Sequence, residues 1–291
     1  MINIDNLIRE ELGIEDKSNT KLCVDAEFNK INKIKVNNIV NNFIEPIQNS
    51  HNIEDEKFLS ENGYCHLGKL FSDDEVNELH NLIKNEPGYN YHIAANSYNR
   101  EAKVFTEDLD WNVLSYEPSV FLKSKTLLDK ITKPEILSLV QSYLGCFPTM
   151  YSINCVWSKF TNQEFKTQLV HRDYDDFKFV SFFVFLTDID DNNGPHMYYP
   201  KTQNGEDQSE EPIIVKGEKG TAFLADVYGL HNGVPLKSGN RCLLWCRFGL
   251  MLNNMHYKDQ CNLFATDSEN IFDKIEDNEY NRYLLRGFLK D

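Results

Sequence analysis

At 291 residues, 41% of them hydrophobic and including 19 Phe and 14 Tyr, the chain carries enough apolar surface for one large globular domain, or for one domain with extensions. A formal net charge of −15 argues against a nucleic-acid backbone or an anionic membrane surface as partner, since both are gripped by clustered Lys and Arg. The longest purely apolar run, Phe182 to Leu186, is far short of the roughly 20 residues of a membrane span, and seven cysteines without a C-x-x-C pair point to a reducing cytoplasm rather than a disulfide framework.

Residues 1 to about 55 are rich in Asn, Lys and Ile, with Ile31, Ile34, Ile39, Phe43 and Ile44 on a rough helical stripe, and read as an extension packed on the outside of a domain. From Glu61 the pattern tightens. Gly63 to Leu67 reads as a short strand; Ser72 with Glu75 forms a capping box, and Val76, Leu79, Leu82 and Ile83 then line one helical face. Tyr89 to Asn99 reads as a loop or edge strand in which Tyr91, His92 and Tyr98 are possible substrate contacts. Helices are expected over Phe121 to Leu128 and over Pro134 to Leu144, the second with Pro in its first turn and Gly145 just past its end.

The second half is rich in strands. Tyr151–Phe160, Phe165–His171, Phe179–Thr187, Pro212–Val215, Thr221–Val227 and Arg241–Leu250 are short aromatic and β-branched segments separated by Gly, Asn and Asp turns. Strands at this spacing without intervening helices predict an antiparallel sandwich or barrel. The fold class expected is mainly β with flanking helices.

Within that half, His171 and Asp173 stand two apart in a run that reads as a strand, so their side chains share a face and can meet at one ion. With His231 as third ligand, two imidazoles and a carboxylate on one side of an octahedral ion leave three positions open, the pattern of a non-heme Fe(II) oxygenase. A bare His-x-Asp pair is weak on its own, because 8 histidines and 45 acidic residues in 291 supply roughly one by chance. Gly229, Asn232 and Gly233 around His231 also allow a plain turn histidine. His196, behind Asn193-Gly194-Pro195, is the rival ligand, and the turn before it is expected to carry it off the ligand face.

Several pieces in order resemble the phytanoyl-CoA dioxygenase-like branch of the Fe(II)/2-oxoglutarate oxygenases: Asn62-Gly63-Tyr64, Leu70 to Val76, Tyr143-Leu144-Gly145, His171-Arg172-Asp173, Asn193-Gly194-Pro195, and His231 followed by Arg241. The likeness runs from about Asn62 to about Leu250. It implies a double-stranded β-helix (a cupin-like jelly roll), with His171 and Asp173 at the end of an early strand and His231 on a late one. It divides the chain into an N-terminal helical extension, 1–55, an oxygenase domain, 56–255, and a C-terminal helical tail, 256–291. The cofactors implied are Fe(II), 2-oxoglutarate and O2, the substrate a small organic molecule, and the reaction hydroxylation. Halogenases in this group carry a small residue where this chain has Asp173.

A guanidinium can hold the far carboxylate of a keto diacid by two parallel bonds, and Arg241, at the start of the strand after the distal His, is where similar enzymes keep one. Arg247 shares its face but lies about 20 Å further along at roughly 3.3 Å per residue, so only one of the two is expected to serve. Gln168 and Ser158 are further candidates for co-substrate contact, Gln168 only if a bulge turns it to the ligand face, and Lys159 is a further polar candidate beside Ser158. Two departures stand out: Lys201-Thr202-Gln203 replaces the usual Gly-Ser-His, and Gly233 replaces a hydroxyl residue. A metal-holding jelly roll without turnover, a binding or regulatory module, is the alternative reading.

Overall fold

A computed structural model describes residues 7, 10–11, 34–90, 102–106, 113–160, 168–176, 178–207, 211–250 and 266–290. Tyr91, His92 and Tyr98 lie outside the described residues. Two antiparallel sheets form the domain. The larger takes its strands from both halves of the chain: β1 (Tyr64–Lys69), β2 (Gly88–Asn90), β3 (Ala102–Lys103), β4 (Val113–Tyr116), β5 (Thr149–Lys159), β6 (Phe179–Phe185), β9 (Thr221–Ala225) and β11 (Asn240–Gly249), in the spatial order β1-β9-β6-β11-β5-β4-β2-β3. The smaller holds β7 (His196–Tyr198), β8 (Ile213–Val215) and β10 (His231–Gly233), ordered β10-β7-β8.

The middle of the larger sheet explains its composition. β6 reads Phe-Val-Ser-Phe-Phe-Val-Phe and is buried along its whole length, because a helix layer covers one face while the other looks onto the cavity and the small sheet. A strand covered on both faces shows a continuous apolar run rather than alternation. β11 lies between β5 and β6, and its register slips between Arg247 and Phe248.

Helices form where capping chemistry directs them. α1 (Ile53–Asn62) starts at Asn52, whose side chain accepts from the Glu54 amide, and stops at Gly63 in the left-handed conformation. α2 (Asp73–Ile83) has the expected reciprocal capping box between Ser72 and Glu75, and buries Val76, Leu79 and Ile83. The helix expected over 121–128 is instead two, α3 (Pro118–Phe121) and α4 (Lys125–Ile131), because the Ser124 hydroxyl accepts from the Leu127 amide and starts a new helix. α5 (Pro134–Leu144) has the expected bounds and ends at Gly145. Near the C-terminus come α6 (Ser268–Phe272) and α7 (Glu279–Leu285), with Tyr283, Leu284, Leu285 and Phe288 joining the core. Residues 34–40 are helical, and Val36 and Val40 are buried in the same core.

One expected strand is not there. Of Phe165–His171, residues 165–167 lie outside the described set, 168–170 form no strand, and His171 makes only an isolated bridge. No helix among the described residues is long and apolar enough to cross a membrane. The five described cysteines are free and buried; Cys155 and Cys242, on adjacent strands, bring their sulfurs to 3.7 Å, a thiol hydrogen bond and not a disulfide.

Candidate metal centre

His171 and His231 are backbone partners. Each amide donates to the other's carbonyl at 3.0 Å, and the ring centroids lie 4.4 Å apart. Two residues on, the Asp173 amide donates to the Val227 carbonyl at 2.9 Å, so the His-x-Asp segment is extended and anchored although it is no regular strand. Sixty residues of sequence thus close on one point. One donor atom each from His171, Asp173 and His231 lie within 4.8 Å of one another, a group that could hold a metal ion.

Backbone carbonyls choose which ring nitrogens face that point. His171 Nδ1 is 2.8 Å from the Leu169 carbonyl and His231 Nδ1 is 2.9 Å from that of Gly229. A carbonyl only accepts, so each Nδ1 carries the proton and each Nε2 keeps its lone pair for an ion. His171 Nε2 lies 3.7 Å and His231 Nε2 3.9 Å from the Asp173 carboxylate. Bonds of about 2.0–2.2 Å allow donors up to about 4.2 Å apart to share an ion. Burial pushes the His231 pKa down to about 4, partly opposed by Asp173, so the imidazole stays neutral as a ligand must.

Asp173 does not stand alone. Burial raises its pKa, but the charge and hydrogen bond of the Arg247 guanidinium work against that, and the carboxyl lies below its ordinary range. Arg247 Nη2 donates to Asp173 Oδ2 at 2.5 Å, and Nη1 donates to Asp175, which also accepts from the Tyr151 hydroxyl at 3.3 Å. Arg247 therefore has a place in the site that its linear distance from Arg241 hides. The cavity runs along one face of β11, lined in turn by Arg241, Leu243, Trp245 and Arg247, so the two arginines serve its opposite ends.

Between the two candidate ligands, Arg172 points the other way and is fully engaged. Its guanidinium donates to the carbonyls of Thr202 (2.6 Å), Tyr228 (2.7 Å) and Glu206 (2.6 Å) and to the Asp207 carboxylate (3.1 Å). Thr202 also accepts the Leu230 amide on its hydroxyl at 2.7 Å, and Gln203 donates to the carbonyls of Ser60 and Glu61. The departure from Gly-Ser-His thus forms a brace that ties both histidine segments to α1.

At the other end of the cavity, the Arg241 guanidinium donates to the Gly194 carbonyl at 2.6 Å, while its Nε is buried without a partner. No carboxylate among the described residues pairs with it. Burial pushes its pKa down to about 10, still charged at neutral pH. Gly233 makes room: a Cβ there would come within 3.1 Å of Nη1 and 3.4 Å of Nη2. Ser158 is the cross-strand partner of Arg241 and lines the same cavity, as do Gln168 and Lys159. Gln168 reaches the ligand side because its segment is not a strand, and its carbonyl accepts from the Asn232 amide group at 3.1 Å.

His196 corrects the sequence reading. It is outside the three-residue cluster, but β7 turns its ring into the cavity, stacked 5.6 Å from that of His231. Burial, with Arg241, His231 and His171 nearby, holds its pKa well below the ordinary value.

A family model, phytanoyl-CoA dioxygenase (PhyH), matches residues 59–241. The chain belongs to the PhyH family. Membership makes this PhyH protein an enzyme of the oxygenase type, and the matched span begins at α1 and ends at Arg241, close to the likeness read from Asn62 to Leu250. Among solved structures it resembles SnoK, a non-heme alpha-ketoglutarate-dependent carbocyclase from nogalamycin biosynthesis (17% identity, TM-score 0.50, covering 72% of this chain and 91% of SnoK). It also resembles EctD from S. alaskensis with bound Fe (16%, 0.49, 71% and 82%) and HygX from Streptomyces hygroscopicus with nickel and 2-oxoglutarate bound (12%, 0.47, 69% and 87%). At such identities SnoK supports the fold alone, and the fold is the jelly roll expected. No curated protein sequence matches the chain.

Proposed function

We propose that this PhyH protein is an Fe(II)- and 2-oxoglutarate-dependent dioxygenase that hydroxylates a small organic molecule. His171, Asp173 and His231 hold the metal; Arg241, with Ser158 and Gln168, holds the co-substrate. The observation that carries the reading is the half-buried guanidinium of Arg241, its Nε enclosed, charged and without a carboxylate partner among the described residues. A buried charge is strongly disfavoured unless something pairs with it. Gly233, which faces Arg241, is two residues from His231, about 7 Å at roughly 3.3 Å per residue. A short diacid held by Arg241 at one end would reach the His171, Asp173 and His231 cluster with the other.

Ferrous iron with 2-oxoglutarate and O2 supplies an oxidant able to attack an unactivated C–H bond. The chain's residues orient and exclude. The two imidazoles and the Asp173 carboxylate would hold the ion. Arg241 fixes the diacid by its far end. Val113, Val156, Phe183, Leu243 and Trp245 form an apolar wall that keeps bulk water from the reacting centre. The cavity opens to solvent on one side, where a substrate would enter beside the co-substrate. Asp173 would give the ion a carboxylate where resembling halogenases have a small residue, which favours hydroxylation over halogenation.

The test is release of succinate from 2-oxoglutarate by the purified protein with Fe(II), ascorbate and O2, with Asp173→Ala as control. Slow substrate-free succinate formation that the variant lacks is expected. Absence of both turnover and 2-oxoglutarate binding in the iron-loaded protein would sink the proposal.

A further inference from the structure

The catalytic reading leaves one buried polar group in the cavity unused. His196 is 5% exposed, lines the cavity wall between Phe183 and His231, and has no hydrogen-bond partner on either ring nitrogen among the described residues; its Nε2 is fully enclosed. An imidazole in such a place is left unsatisfied until something brings a partner to it.

The small sheet shows where that partner would sit. In the β7–β10 pairing His196 is directly opposite Gly233, and Tyr198 is opposite His231. Gly233 is the residue whose missing Cβ admits the Arg241 guanidinium. His196 on one strand and Arg241 on β11 therefore converge over the same glycine, a step removed from the metal cluster. The Gly194 carbonyl, two residues before His196, already holds Arg241 Nη1. One loop thus positions both groups.

We propose that His196 is a contact for the far carboxylate of the co-substrate, sharing it with Arg241, and so helps select a diacid over a keto acid that lacks the second carboxylate. The inference rests on the proposed use of 2-oxoglutarate. A carboxylate offers about four lone-pair sites, more than a guanidinium with one arm committed to Gly194 can fill. An imidazole N–H from the opposite strand adds a charge-assisted bond.

The experiment compares wild type with H196L, H196Q and H196N in two titrations: Co(II) into metal-free protein, followed by absorbance, and then 2-oxoglutarate or 2-oxobutyrate into the Co(II)-loaded protein, followed by calorimetry. H196L and H196N should bind 2-oxoglutarate about ten-fold or more weakly, whereas H196Q, which keeps a donor of similar reach, should lose less. Co(II) affinity and 2-oxobutyrate affinity should not change. Should H196L fail to fold, H196N carries the same comparison. The proposal is overturned if the leucine and asparagine variants bind 2-oxoglutarate as wild type does, or if they lose both keto acids or Co(II) alike. Wild type that binds Co(II) but no 2-oxoglutarate overturns the functional reading, and this inference with it.

Discussion

Replacing Arg172 by Ala tests whether the group between two candidate ligands holds them in place. Of its four acceptors, the Glu206 carbonyl and the Asp207 carboxylate belong to exposed residues and contribute little. The Thr202 and Tyr228 carbonyls belong to residues 0% and 7% exposed, and truncation leaves both without their charged donor. At about 1.5 kcal/mol for each bond to a charged group, the loss is about 3 kcal/mol. For a chain of this size that corresponds to a thermal midpoint lowered by about 5 °C. Metal affinity should also fall, by about 10–100-fold, because Thr202 links Arg172 to the Leu230 amide beside His231. R172K keeps the charge but not the fork, and should fall between the two. Differential scanning calorimetry and Co(II) titration measure both effects. A midpoint within about 2 °C of wild type, together with unchanged Co(II) affinity, would refute the bracing argument.

Other expectations can be checked alongside. Arg241→Met should weaken 2-oxoglutarate binding roughly a hundred-fold, about 2.7 kcal/mol, while Co(II) affinity holds; equal loss of both would assign Arg241 to the fold instead. Arg247→Met leaves Asp173 and Asp175 without their shared cation, so metal-free protein should lose about 3 kcal/mol. Saturating Co(II) should restore part of that, and a deficit of the same size with and without metal counts against the pairing. Ser72→Ala removes the α2 cap and should cost about 1 kcal/mol in denaturant unfolding with no effect on metal binding.

The centre of the large sheet was legible because its strands are long enough to show their chemistry, unlike the short β2, β3 and β4 at its edge. β5 and β6 are dense in aromatic and β-branched residues, β9 and β11 carry the apolar runs Ala222–Ala225 and Cys242–Cys246, and Ser72, Pro134 and Gly145 mark helix ends by local backbone chemistry. Of the small sheet only β8 was foreseen, within Pro212–Val215. His196–Tyr198 and His231–Gly233 have three residues each, too few for a period of two to register. Its position is set by pairing between segments distant in sequence, and that pairing also turns His196 inward.

Arg247 was discounted for a related reason. Its distance from Arg241 along β11 says nothing of what crosses that strand, and Asp175, two beyond Asp173, was the available signal that a cation was needed at the metal end. Gly233, a departure when read in sequence, became intelligible once Arg241 lay against it. Ser124 shows the opposite case, a capping residue in plain view that should have divided the helix expected over 121–128.

The paired backbone of His171 and His231 carries a consequence for metal choice. Both rings are oriented by main-chain carbonyls and both amides are tied to each other, so the docking geometry is built by the fold before any ion arrives. Such a preset berth does not have to be assembled around its cargo. Nickel, cobalt and manganese should slip in as well as iron, ranked by their intrinsic affinities, leaving the surrounding medium rather than the polypeptide to decide which one the protein carries.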